Sequence, residues 1–283
     1  MRALADSPGT GGQSGSRWSD LRPRVLSAAI LAPTVLLCIW VGGVSFKIML
    51  IAGALGLASE WVGMCRVSAM RMPGIVTVGA IVAGTAAAAF GQIAVGLALF
   101  AIGAAGTVLL ANGTPHRWAL ALGVPYAGLG AVALLWLRAD SMVGLVDLLF
   151  LLLLVWASDI GAYMTGRLLG GPKLAPRVSP GKTWSGALGG LAAAIAAGLL
   201  VATLSHAAEH PVRVAAIAAA LGIVAQAGDL LESLLKRHFG VKDSGRLIPG
   251  HGGLLDRVDA LLTAAPVTAL LALAAGRGVV IWQ

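Results

Sequence analysis

Charge is scarce in this 283-residue chain: Asp, Glu, Lys and Arg together make up 11% of it, less than half the share usual in soluble domains. So few ions cannot cover a soluble surface. Cysteine is scarcer still. Cys38 and Cys65 both fall in apolar segments, where ordinary packing is expected rather than a structural disulfide, and they carry no functional weight. Residues 1–20 lack an apolar core and are rich in Gly and Ser, so they form neither a secretory signal nor a span. The reading is a disordered tail over 1–23.

What remains is hydrophobic: 58% of the residues, with a mean hydropathy of +0.89. That composition predicts an all-α, polytopic integral membrane protein. Its net charge of +8 does not imply a nucleic-acid partner, because basic stripes for DNA or RNA need a soluble surface with exposed aromatics. A helix that crosses the hydrocarbon core needs about 20 mostly apolar residues. Nine segments qualify: 25–43, 46–64, 74–90, 92–111, 118–137, 142–164, 185–205, 212–235 and 256–280.

The division of 74–111 at Gly91-Gln92 rests on charge. With nine spans, Lys47, Arg138, Arg213 and Arg277 lie on one side and the other sixteen Lys/Arg on the side of the N-terminus. Were 74–111 a single span, the split would be nine against eleven. Cytoplasmic loops are enriched in Lys and Arg. The expectation is a multi-pass protein of the cell (plasma or inner) membrane with its N-terminus in the cytoplasm. Membrane helices fill 24–140, and a catalytic region fills 141–283, whose long loops 165–184 and 236–255 face the cytoplasm. Within the spans, runs such as SGALGGLAAAIAAG (185–198) let helices approach closely, so Gly189 and Gly190 read as packing residues.

Of twelve acidic residues, seven lie in or at the ends of spans: Glu60, Asp147, Asp159, Asp229, Glu232, Asp256 and Asp259. A carboxylate at that depth needs a partner or an aqueous cavity. Glu60 and Asp147 are explained as members of structural ion pairs. The final two spans differ. Asp229, Glu232 and Lys236 recur at i, i+3, i+7 with Ser233 alongside, and Asp256 and Asp259 stand at i, i+3, so each set shares a helical face. If those faces meet, four carboxylates converge and demand a cation. Oxygen ligands without Cys or clustered His suit Mg²⁺ rather than zinc.

Both long loops, TGRLLGGPKLAPRVSPGKTW and KRHFGVKDSGRLIPGHGGLL, mix cations with Gly, Pro, Ser and Thr, a composition suited to phosphate oxygens. Neither is a P-loop, since PGKTW lacks the upstream Gly and a preceding strand. Loops of this kind beside buried carboxylates point to metal carboxylates and phosphate-binding cations at the membrane–water boundary.

The run from Ser233 to Asp259, SLLKRHFGVKDSGRLIPGHGGLLDRVD, resembles the signature of phosphatidate cytidylyltransferases, the CDP-diacylglycerol synthases. Residues 156–186, WASDIGAYMTGRLLGGPKLAPRVSPGKTWSG, are similar to the family's other cytoplasmic segment. Gly181 departs from the Lys that many relatives carry there. The resemblance implies transfer of CMP from CTP to phosphatidic acid with Mg²⁺, giving CDP-diacylglycerol and pyrophosphate, beside membrane lipids; a homodimer is a further family expectation. It implies metal binding by Asp229 and Asp256, with Asp259 and Glu232 beside them, and a catalytic set of Asp229, Asp256, Asp259 and Lys236. Ser179, Lys182, Thr183, Arg237, Lys242, His251 and Arg257 are the candidate substrate contacts. Arg257 can instead pair with a neighbouring acid, and Asp159 either completes the acidic cluster or holds a basic partner. Trp156 and Trp184 read as interfacial anchors.

Three other readings compete. A secondary transporter predicts internal repeats and acids near the midplane, whereas no repeat is visible and the acids lie towards one side. A CDP-alcohol phosphotransferase needs an Asp-Gly-x-x-Ala-Arg core, which is absent. A CTP-dependent lipid kinase shares the same chemistry.

Overall fold

A computed structural model of the chain describes residues 16–114, 116–139, 142–248, 250, 252–276 and 278–283. Nine helices follow one another among these residues: α1 Ser16–Val41, α2 Gly43–Met64, α3 Met72–Ala89, α4 Ile93–Leu110, α5 Arg117–Leu137, α6 Val143–Leu169, α7 Trp184–Leu204, α8 Pro211–His238 and α9 Leu255–Ala275. Helices α2 to α9 are each long and apolar enough to cross a membrane, and α1 is apolar over Ala29–Val41. The chain is an all-α, multi-pass membrane protein.

The division at Gly91 has a local cause that composition does not reveal. Gly91 adopts φ +84°, and the Gln92 amide turns back to the Ala87 carbonyl at 2.9 Å. This left-handed C-terminal cap satisfies end carbonyls that would otherwise be orphaned in lipid. Helices α3 and α4 then fold into a hairpin.

The elements depart from the sequence reading in several places. Helix α1 begins at Ser16, inside the segment assigned to the tail, and residues 1–15 lie outside the described residues. Helix α6 runs five residues beyond 164 to Leu169, so Trp156 is a half-buried mid-helix residue rather than an end anchor. The rest of the 165–184 loop holds a small antiparallel hairpin, β1 Lys173–Ala175 with β2 Ser179–Thr183. Helix α9 stops at Ala275, before Gly276 at φ +100°. The chain then turns back and buries Val280, Ile281 and Trp282. The Ile281 amide donates to Asp147 Oδ1 at 3.1 Å, and Trp282 Nε1 donates to the Ala207 carbonyl at 2.7 Å.

Two groups of helices result. Helices α2 to α5 pack on one another, α6 packs along α7 and α7 on α8, and α9 contacts α2, α5, α6 and α8. Helix α9, whose first turn carries Asp256, is therefore the joint of the fold. Cys65 is a core residue whose thiol is pushed up to about 12 by burial, far from the range of a reactive thiolate.

Helix α6 lies against α7 because small residues line their seam. A Cβ on Gly190 would sit 2.7 Å from the Ser158 carbonyl oxygen, and one on Gly161 2.9 Å from the Gly189 carbonyl. Both obstacles are backbone and cannot rotate away. Gly190→Ala should therefore cost about 1–3 kcal/mol through overpacking, seen as a lowered thermal midpoint in detergent. Gly53→Ala, where a Cβ meets nothing within 4 Å, should melt like the parent.

Candidate active site

Helices α8 and α9 come into tight contact at a glycine. A Cβ on Gly228 would lie 2.5 Å from Thr263 Oγ1 and 3.2 Å from the Asp259 carbonyl oxygen. Because position 228 has no side chain, the face of α8 that runs from it to Lys236 is brought against the N-terminal part of α9. Lys236 joins the two helices there: its ammonium is 2.6 Å from Glu232 Oε2 on its own helix and 2.7 Å from Asp256 Oδ1 on α9. Glu232 is fully buried, and neither of its carboxylate oxygens has a donor in hydrogen-bond geometry. Lys236 is its charge partner. Asp259 is also buried and accepts from the Ala260 amide at 2.8 Å.

Asp256 is held from three directions. Besides Lys236, its Oδ2 accepts from the Ser244 amide at 3.0 Å and the Gly253 amide at 3.1 Å. These donors belong to the loop between α8 and α9, and position 253 must be small, since a Cβ there would collide with Ser244 Oγ and sit 2.9 Å from Asp256 Oδ2. Glu60 of α2 fixes the same loop. Its carboxylate accepts from the Leu254 and Leu255 amides, both at 2.9 Å, and from Ser244 Oγ at 3.3 Å. The sequence suggested an ion pair for Glu60; its partners here are the first amides of α9 and a hydroxyl, a favourable place for an anion.

The β1–β2 hairpin closes the site from the side. Lys182 reaches Asp229 Oδ2 at 2.5 Å. Thr183 caps α7, its hydroxyl oxygen accepting from the Gly186 amide at 3.1 Å, so that oxygen is engaged in the fold. A cavity of about 740 Å³ lies between hairpin and helices, and Asp159, Lys182, Thr183, Asp229, Lys236, Asp256, Arg257 and Asp259 all line it. A second cavity of about 290 Å³ lies across the Lys236–Asp256 pair and is lined by Ser233, Arg237, Lys242, Asp243 and Arg257.

Most of the expected residues therefore gather around two spaces that share Lys236, Asp256 and Arg257 as lining residues. Glu232 lies under the first, touching it through Lys236. Arg237 lines the second while its Nε donates to the Val178 carbonyl at 3.3 Å. Ser179 lines neither and pairs with Ala175 in the hairpin. His251 lies outside the described residues. Among the described residues no three His, Cys, Asp or Glu side chains close into a metal-ligand cluster.

Among the lining residues that the sequence reading does not single out, two form a pair. Tyr163 and Arg167 of α6 border the large cavity, and Arg167 Nη1 donates to the Tyr163 hydroxyl at 2.7 Å. Their signal was present, since Asp159, Tyr163 and Arg167 stand at i, i+4, i+8 and form one polar stripe. Arg167 lies in the loop expected over 165–184, whose composition suits phosphate, but is not among the candidate substrate contacts read from the sequence.

Comparison with known proteins identifies the family of the chain. The model of the cytidylyltransferase family matches residues 22–274. The chain is 45% identical over 255 residues to the phosphatidate cytidylyltransferase of Brucella suis biovar 1 (strain 1330), covering 87% of this chain and 91% of that protein. It is 48% identical over 128 residues to the phosphatidate cytidylyltransferase of Pseudomonas aeruginosa, covering 45% of this chain and 47% of that one. A third relative of the same name, from Staphylococcus epidermidis, is 41% identical over 150 residues, covering 53% of this chain and 56% of that protein. With one family pattern running from before α2 to the end of α9, the chain belongs to the cytidylyltransferase family.

Proposed function

We infer that this protein transfers a cytidylyl group from CTP to phosphatidic acid, forming CDP-diacylglycerol and pyrophosphate in phospholipid biosynthesis. The observation that carries the reading is the meeting of the α8 and α9 carboxylates with Lys182, Lys236 and Arg257 around one cavity. The high identity to a phosphatidate cytidylyltransferase across most of the chain supports it. The positive-inside asymmetry supports placing this end of the bundle at the cytoplasmic face of the cell membrane.

The chemistry asks little of a side-chain base. The second pKa of a phosphate monoester is near 6, so the lipid phosphate is largely dianionic at neutral pH. One of its oxygens forms a bond to the α-phosphorus of CTP while the bond from that phosphorus to the leaving pyrophosphate breaks. The obstacle is the repulsion between two anions, and positioned cations address it. Lys236 and Arg257, at the border of both cavities, are assigned to the reacting phosphates. Arg237 and Lys242, in the smaller cavity, are assigned to the leaving pyrophosphate.

The donor set fits Mg²⁺. Its oxygens are hard, and Glu232 Oε1 is buried without a donor. Mg²⁺ is commonly held by one or two carboxylates together with waters and substrate phosphates rather than by a complete protein cage. Asp229 and Asp256 would hold it, with Asp259 and Glu232 beside them. When bound, the ion supplies neutralisation of charge on the attacking and leaving oxygens.

The face of α6 suggests where the lipid lies. Its polar stripe of Asp159, Tyr163 and Arg167 borders the cavity, and the adjacent stripe of Ile160, Met164 and Leu168 is exposed and apolar. A phosphate on the first stripe keeps its acyl chains against the second. Arg167 is assigned to the lipid phosphate.

Purified protein given labelled CTP, phosphatidic acid and Mg²⁺ should yield cytidylylated lipid and pyrophosphate; phosphorylated lipid with CDP would overturn the reading in favour of a kinase. In the same assay Asp256→Asn should abolish turnover while the protein stays folded by thermal melt, and near-normal turnover would remove Asp256 from the site. Arg167→Gln should raise KM for phosphatidic acid about three- to tenfold, as expected for loss of one charge-assisted contact, with KM for CTP unchanged. The opposite pattern would assign Arg167 to the nucleotide.

A further inference from the structure

Glu60 belongs to the N-terminal half of the chain, yet among the described residues every hydrogen-bond partner of its carboxylate lies in the segment that builds the site. Oε1 accepts from the Leu254 amide, and Oε2 from the Leu255 amide and Ser244 Oγ. The side chain is buried, and Gly245 is pressed against it: a Cβ there would lie 2.5 Å from Oε1. On the other side of the same loop, the Ser244 and Gly253 amides hold Asp256. Ser244 thus touches both carboxylates, Glu60 through its hydroxyl and Asp256 through its amide.

The support behind Glu60 is rigid. The next residue, Trp61, is buried in the core, donates from Nε1 to the Ala119 carbonyl at 3.1 Å and stacks on Tyr126 with ring centroids 5.4 Å apart. Helix α2 is therefore pinned to α5 at the turn that presents Glu60. Aimed at the first amides of α9, the carboxylate gains from the helix dipole as well as from its hydrogen bonds.

We propose that Glu60 is a positioning residue for the transfer reaction, holding the α8–α9 loop so that the Ser244 and Gly253 amides fix the Asp256 carboxylate at the reacting phosphates. The proposal rests on the function inferred above. Glu60 touches no substrate in this scheme and acts through Asp256. The two amides orient Asp256 while Lys236 balances its charge, so the carboxylate cannot rotate away from the cavity as long as the loop stays seated on Glu60.

Glu60→Gln keeps the shape but places an NH₂ group against one of the donors. The expected result is a kcat lower by about ten- to a hundredfold, the scale of a small misplacement of a reacting group. KM for CTP and for phosphatidic acid should each stay within about threefold. Amide hydrogen exchange over 244–255 should quicken while exchange in α3 to α7 stays as in the parent. Glu60→Asp should restore part of the rate. Gly245→Ala provides the independent variant, because it displaces the carboxylate without removing its charge, and it should lower kcat and loosen the same segment; it carries the test if Glu60→Gln does not fold. A parent-like kcat in either folded variant would overturn the proposal, as would uniform loosening of the whole protein with unchanged kcat per folded molecule. Failure of the parent itself to make cytidylylated lipid would instead remove the functional reading, and the exchange measurement remains interpretable in that case.

Discussion

A single ammonium group holds the site together. Lys236 lies within salt-bridge distance of Glu232 on its own helix and of Asp256 on the next, with one partner fully buried and the other nearly so. Bringing carboxylates to that depth costs several kcal/mol each unless the charge is matched. Without Lys236 the carboxylates of α8 and α9 would repel each other two turns along α8 from the Gly228 contact, which brings the helices together. The Lys236–Asp256 contact borders both the larger cavity and the smaller, basic one. One side chain therefore balances the charge of the site, ties its helices and borders both of its spaces.

The remainder of the fold serves that junction. Helix α9 packs on α5 and α2 as well as on α8, so the first turn that carries Asp256 is framed by both halves of the chain. The hairpin adds Lys182 from a third direction, and the Thr183 cap fixes where β2 ends and α7 begins. At the far end of the bundle, the Asp147 carboxylate and the buried Trp282 seat the last residues of the chain. The polar groups of the site are thus gathered at one end of the bundle, where a soluble nucleotide and a lipid headgroup can meet.

Much of this was legible in the sequence, for physical reasons. Apolar length marks membrane helices directly, and the i, i+3, i+7 spacing of Asp229, Glu232 and Lys236 left only the question of which face they met. The Gly91 break was readable through charge asymmetry, although its mechanism, a left-handed cap, was not. What stayed hidden depended on contacts far apart in sequence. Glu60 gave no local sign that its partners were amides almost two hundred residues away, and Ser179 and Lys182 looked alike as loop residues until the hairpin turned only one of them to the cavity. Arg167 reads in sequence as one of several loop cations; only the extension of α6 to Leu169 puts it on a helical stripe with Asp159 and Tyr163.

The most direct measurement is a stability cycle on the Lys236 junction, made by thermal unfolding in detergent. Lys236→Met alone should destabilise the protein by about 3–5 kcal/mol, because it leaves buried carboxylates uncompensated. Adding Glu232→Gln should recover a large part of that loss, because the charge left behind is then removed. If the two substitutions instead add to a greater loss, or Lys236→Met melts like the parent, the ammonium does not hold these helices together and the site has been assembled on the wrong contact.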